Sequence, residues 1–174
     1  MRIGWRRRVK EGAKAAVGAF VLALLIRATL VEAYWIPSGS MEPTLRPGDR
    51  IVAEKLLRWF HPPRPGDIVV FMPPPGAQAN TPALVKRVVA GPGQVVAVER
   101  GQLLVDGVHV QEPYLAEPPA YDLPPLRVPE GHLFVLGDNR NRSVDSHVWG
   151  FVPVSNVIGR ALFRYWPVDR LGGL

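Results

Sequence analysis

The sequence predicts a mainly β protein: one N-terminal transmembrane helix, then an antiparallel β-rich domain carrying a proline-rich insertion. Three observations predict it. Nineteen prolines and 17 glycines among 174 residues cut the chain into short segments joined by turns, which disfavours a helical bundle. Runs rich in β-branched residues recur with turn chemistry between them. One uncharged run near the N-terminus follows directly on a dense basic cluster. A length of 174 residues accommodates one domain of ordinary size, about 100–200 residues.

The elements follow in chain order. Residues 1–14 carry six basic side chains, Arg2, Arg6, Arg7, Arg8, Lys10 and Lys14, against Glu11 alone. Residues 15–26 then carry no charge, Arg27 interrupts, and 28–31 continue the apolar run. As a helix this run covers roughly 25 Å, the short end of a membrane span. Arg27 lies one turn from its far end, where a long side chain snorkels to the headgroups. The basic cluster precedes the span, so the positive-inside bias places residues 1–14 in the cytoplasm, 15–33 in the membrane and 34–174 on the outer face. Two other readings compete: a buried core helix, and a cleavable signal peptide with Val31-Glu32-Ala33 as a weak cleavage site.

Beyond the span, Arg50–Leu56, Asp67–Met72, Ala83–Ala90, Gln94–Arg100, Gln102–Val105, His132–Leu136 and Val157–Trp166 read as strands. Arg-Pro-Gly-Asp occurs at 46–49 and again at 64–67. Proline presets φ and glycine permits the left-handed step, so each copy is a turn that launches a strand. Residues 73–82 form a loop. The proline-rich excursion Gln111–Gly131 is too stiff and too poor in donors for a central strand.

Composition excludes several functions. With no cysteine there is no disulfide scaffold, thiol nucleophile or thiolate zinc site. No two histidines lie close together and no calcium-loop spacing appears, which argues against a metal site. The net charge of +6 sits on the N-terminal end, and the other 160 residues hold 15 basic and 14 acidic side chains. A sequence-independent nucleic-acid binder needs that charge spread over a folded face.

Three segments hold candidate chemistry. Ile36–Asp49, IPSGSMEPTLRPGD, sets Ser38 and Ser40 around a glycine at the end of the span; most such triplets are turns, but a rigid serine pair beside a bilayer is unusual for a linker. A nucleophilic serine needs a base. His61, His109 and His132 read as surface or strand-start residues, whereas His147 lies in a polar cluster, so Ser40, His147 and Asp138 or Asp145 form one possible triad. Lysine is the alternative. The chain has 17 arginines and four lysines, and Lys86 sits in Ala-Leu-Val-Lys-Arg-Val-Val-Ala, where burial disfavours the ammonium. The bland counterpart is an edge-strand lysine with its head in water. The third segment, Gly137–Gly150, packs polar side chains behind an apolar strand, which fits a grafted site or a solvated loop.

Together and in this order, these segments resemble bacterial type I signal peptidases, the serine–lysine endopeptidases also called leader peptidases. The resemblance runs from about Ala15 to Ala161 through IPSGSMEPTLRPGD, PALVKRVVAGPGQVV and GDNRNRSVDSHVWGFVP with VIGRA. It implies that Ser40 is the nucleophile, Lys86 the general base, and the Ser40 amide with the Ser38 hydroxyl the oxyanion hole. Ser143 then holds the lysine amine, Asp145 braces its loop, Arg87 and Asp138 form an ion pair, and Met41 packs beside the nucleophile. It further implies a flat apolar membrane-facing surface. No cofactor is implied; the partners are exported preproteins with Ala-x-Ala-like cleavage sites, the lipid bilayer and the protein-export translocon. One departure stands out: the family usually has arginine where this chain has His147, and a histidine is a cation only when protonated. A β domain with a binding or scaffolding role is the alternative from a different class.

Overall fold

The computed structural model of the chain describes residues 11–22, 30–55, 62–77, 79 and 81–174. Residues 11–22 form an exposed helix, α1, with Val17, Phe20, Val21 and Leu22 facing outward. Among the described residues no helix is long and apolar enough to cross a membrane. The apolar run expected to span continues through residues 23–29, which lie outside the described set. Its expected end at residue 33 is corrected, because β1 occupies Val31–Trp35 and pairs antiparallel with β2, Arg50–Glu54. A β-branched residue and two aromatics in VEAYW favour the pleated, half-buried setting that a partner strand offers.

The remaining strands are β3 (Ile68–Phe71), β4 (Leu84–Ala90), β5 (Val95–Glu99), β6 (Gln102–Val105), β7 (Val108–His109), β8 (Leu123–Arg127), β9 (His132–Leu136), β10 (Val152–Pro153), β11 (Val157–Trp166) and β12 (Gly172–Gly173). A short helix, α2, spans Ser146–Trp149. The strands form two antiparallel sheets, within the antiparallel β-rich domain the sequence predicts. The larger runs β1-β2-β11-β3-β4-β9-β10, with β12 against β11, and the smaller runs β7-β6-β5-β8. The turn after β4 passes the chain from one sheet to the other. Val89, Ala90, Phe134 and Leu136 of the first sheet pack against Val96, Val98 and Leu103 of the second.

β3 is buried along its whole length. Ile68 and Val70 face one core with Ile51 and Ala161, and Val69 and Phe71 face another with Val88 and Val135. A strand covered on both faces reads as a continuous apolar run, as IVVF does. The proline-rich segment supplies no central strand, as expected, but it does contribute β8. β8 is an edge strand, and its register against β5 shifts across Pro124 and Pro125, so neither proline interrupts a central ladder.

Both Arg-Pro-Gly-Asp copies form the same turn. Gly48 and Gly66 take φ of 92° and 100°, and the fourth-residue carboxylates of Asp49 and Asp67 accept the Arg46 and Arg64 amides at 2.8 and 2.9 Å.

Gly159 sits in β11 beside the end of β2, and a Cβ there would lie 2.3 Å from the Glu54 carbonyl oxygen. Backbone must move to admit it. Gly159→Ala therefore lowers the unfolding free energy by about 1–3 kcal/mol, read from the midpoint of denaturant unfolding at unchanged slope.

Candidate active site

The segment 36–49 closes on itself. The Ile36 amide donates to Asp49 O and the Gly48 amide to Ile36 O, both at 2.9 Å. Ile36, Met41 and Leu45 plug the loop from inside, each at most 3% exposed. Gly39–Met41 form one 3-10 turn that lifts Ser40 to the rim. A second segment pins this turn: the Asn139 amide donates to Ser40 O and Asn139 Nδ2 to Gly39 O, both at 3.1 Å. Asp49, itself buried, accepts from Arg170 at 2.8 Å, and Arg164 Nη1 donates to Thr44 O at 2.7 Å. The serine turn is thus held from both ends.

β4 brings Lys86 to it. Lys86 pairs with Val69 of β3 and shares its sheet face with Leu84 and Val88 by the period of two. The side chain is 3% exposed, and Nζ lies 2.7 Å from Ser40 Oγ. Burial lowers the Lys86 pKa to about 8, against the opposing pull of Asp145 and Asp138. An amine in this setting loses its proton near neutrality while its hydroxyl partner is in contact, which is the geometry of a general base and its nucleophile. Ser38 Oγ lies 3.3 Å from Ser40 Oγ. The edge-strand reading of Lys86 is corrected: β4 is interior, between β3 and β9, and the residue is buried.

The loop after β9 supplies the surround. Asp138 receives Arg87 Nε at 2.8 Å and Nη2 at 2.6 Å, and the Thr44 hydroxyl at 2.5 Å. Arg87 also donates to Gly66 O at 2.8 Å and lies over the Tyr114 ring at 3.9 Å. Asp145 is fully buried. It caps α2, accepts the Gly137 amide at 2.8 Å and meets His147 Nδ1 at 2.7 Å. Gly137 has no room for a side chain, since a Cβ would sit 2.3 Å from both Ser40 O and Ser143 Oγ.

Two expectations are corrected. The Ser143 hydroxyl is buried beside Gly137 and, among the described residues, makes no hydrogen bond, to the Lys86 amine or to any other group; it packs where the loop backbone approaches the serine turn. The Ser40–His147–Asp arrangement is not assembled: among the described residues Ser40 Oγ bonds Lys86 and Ser38, and His147 bonds Asp145 without reaching the serine.

The sequence reading missed the part played by the insertion. Glu112 meets Arg140 through two bonds of 2.7 and 2.6 Å, and Arg140 Nε donates to Gly137 O. The Ala120 amide donates to Asn141 at 2.7 Å, and the Tyr121 ring stacks on His147 at 4.3 Å and 12°. The only advance sign was an acidic and aromatic pair, Glu112 and Tyr114, within a proline-rich stretch.

A groove of about 950 Å³ opens onto Ser40 and Lys86. Trp35, Ile36, Ala83 and Val85 give it apolar walls, and Val144 and Trp149 close the far side.

A family model described as signal peptidase, peptidase S26, matches residues 9–166. The chain is 52% identical over 170 residues to a probable signal peptidase I-1 of Synechocystis sp., covering 95% of this chain and 87% of that one. It is 48% identical over 168 residues to a signal peptidase I of Leptolyngbya laminosa, covering 94% and 83%. It is 43% identical over 180 residues to the chloroplastic thylakoidal processing peptidase 1 of Arabidopsis thaliana, covering 97% and 53%.

A lysine whose pKa falls on folding opposes folding while it is protonated in both states. That opposition is complete below about pH 8 and fades as pH rises toward the unfolded value, because only the unfolded chain then still binds the proton. Lys86→Met removes it and raises the unfolding free energy at pH 7 by on the order of 3 kcal/mol. The gain shrinks between pH 8 and 10.5. Denaturant unfolding of both chains across that range measures it.

Proposed function

The chain belongs to the signal peptidase family S26 and is a serine peptidase that removes signal peptides, and we propose that Ser40 attacks the scissile carbonyl while Lys86 serves as its general base. The observation that carries this is the 2.7 Å contact between Ser40 Oγ and a buried Nζ. Neutral Lys86 takes the hydroxyl proton as the Oγ–C bond forms, and returns it to the amine that leaves when the peptide bond breaks. Water, deprotonated by the same amine, then hydrolyses the acyl-enzyme. The Ser40 amide and the Ser38 hydroxyl hold the oxyanion. The cleavage segment lies extended in the groove beside Ala83 and Val85, and small side chains fit its shallow walls.

The substrate's signal helix resides in a bilayer, and the chain reaches the same surface. We place residues 1–14 on the cytoplasmic side, the apolar run that follows in the membrane up to β1, and the β domain on the outer face. α1 carries an exposed apolar surface in support. So does the outer face of the larger sheet, where Trp35, Arg50 and Trp166 align across three neighbouring strands, with Trp35 and Trp166 64% and 50% exposed. Aromatic rings interspersed with arginine suit the headgroup layer. The preprotein is the substrate, and this face meets lipid and the export translocon that delivers it.

Ser40→Ala and Lys86→Arg each reduce cleavage of a precursor by about 10⁴-fold or more, since arginine keeps its proton. Ser38→Ala loses about 10²–10³-fold and retains measurable turnover. kcat/KM of the parent chain rises with pH through about 8 as Lys86 gives up its proton; appreciable turnover by Lys86→Arg would sink the assignment.

Replacing Trp35 and Trp166 together with serine slows cleavage of a vesicle-embedded precursor by roughly 10-fold or more. Cleavage of a soluble peptide bearing the same site falls less, and comparison of the two rates is the test.

A further inference from the structure

Two carboxylates bear on Lys86, and they are compensated differently. Asp138 is doubly bonded to Arg87, a cation at every working pH. Among the described residues Asp145 has no arginine or lysine bonded to it. Its Oδ2 takes the Gly137 amide, and its Oδ1 faces His147 Nδ1 at 2.7 Å. At that distance Nδ1 is the donor to the carboxylate whether the ring is neutral or cationic. Whether Asp145 is electrically compensated therefore depends on His147. After burial, Asp145 is the largest influence on Lys86, and it acts to keep the proton on.

The proline-rich strap completes the arrangement. It is tied to the catalytic loop by Glu112 to Arg140 and by the Ala120 amide to Asn141. These ties deliver the Tyr121 ring flat onto the imidazole, 4.3 Å away at 12°, while the His147 side chain keeps 20% of its surface exposed. Among the described residues the Tyr121 hydroxyl has no hydrogen-bond partner, so the ring's contribution is its face. The charged groups around the stack are Asp145, the closed Arg140–Glu112 pair and, across Asp145, Lys86 on β4. Burial, followed by the field of Asp145, pushes the Tyr121 phenol up, so it stays neutral.

We propose that Tyr121 and His147 are positioning residues: the strap clamps the imidazole against Asp145, and the charge on His147 sets how firmly Asp145 holds the proton on Lys86. The part of this that concerns turnover rests on Lys86 being the base. With a neutral imidazole Asp145 is uncompensated and favours the ammonium, which holds the rise of activity on the alkaline side of neutrality. A permanent cation at this position cancels that pull and frees the amine at lower pH.

The chain has four lysines, so full-length protein in detergent micelles, labelled at lysine ¹³Cε, gives few signals, and Lys86→Arg identifies the one for Lys86. Titration is compared for the parent chain, His147→Arg and His147→Gln, alongside kcat/KM against pH. In His147→Arg the Lys86 midpoint moves to lower pH by roughly half a unit or more. In His147→Gln, neutral throughout, it stays at the parent value. A midpoint equal in all three, with folding verified by thermal melting, overturns the proposal. A midpoint that moves while the kcat/KM limb stays fixed upholds the linkage and removes Lys86 as base. Tyr121→Ala lowers kcat about 10-fold at nearly constant KM, and Tyr121→Phe rescues it. If Tyr121→Phe is as impaired as Tyr121→Ala, stacking is not what the ring supplies.

Discussion

An ammonium ion removed from water without a full counter-charge is the least comfortable group a β domain can contain, and Lys86 is held in that condition. It occupies an interior strand, 3% exposed, with a serine hydroxyl 2.7 Å away and two carboxylates close enough to matter but committed to other cations or donors. Burial wins over their pull, and the amine's pKa falls to about 8. Arginine in the same place would stay charged and surface lysine would stay solvated. The serine turn, the β9 loop and the proline-rich strap are all arranged around keeping that nitrogen dry and in register with Ser40.

Fixed geometry is what makes such an amine useful. The serine turn gains its rigidity from bonds to parts of the chain distant in sequence: Asn139 to Gly39 and Ser40, Arg164 to Thr44, Thr44 to Asp138. Two ion pairs, Arg87–Asp138 and Arg140–Glu112, are buried and bidentate. Pairs of this kind add little net stability but are costly to break, so they resist alternative placements of the loop. Gly137 allows the loop backbone to touch the serine turn, an approach no other residue permits.

Much of this was legible one segment at a time. The strands from 50 to 54, 68 to 71, 84 to 90 and 157 to 166 are readable because β-branched runs bounded by Pro-Gly turns have few other solutions. Ser40 and Lys86 stand out because a chain so rich in arginine keeps so few lysines, and because the serine lies in a closed, proline-bounded loop. β8 was hidden, since Leu-Pro-Pro-Leu-Arg looks unlike a strand until a sheet edge excuses the prolines. β1 was hidden by the apolar run before it.

By itself the sequence determined most of the strands, the two repeated turns and the residue kinds able to do acyl-transfer chemistry, because these follow from local periodicity, backbone preference and side-chain chemistry. Only the tertiary structure decided that the chain makes two sheets, that Ser143 does not bond Lys86, that His147 serves Asp145 and not Ser40, and that Glu112 and Tyr121 reach back to the loop. Those facts depend on which strands lie side by side and on distances between residues separated by 20 to 100 positions. Burial of the whole chain settles such placements, and no local pattern encodes them.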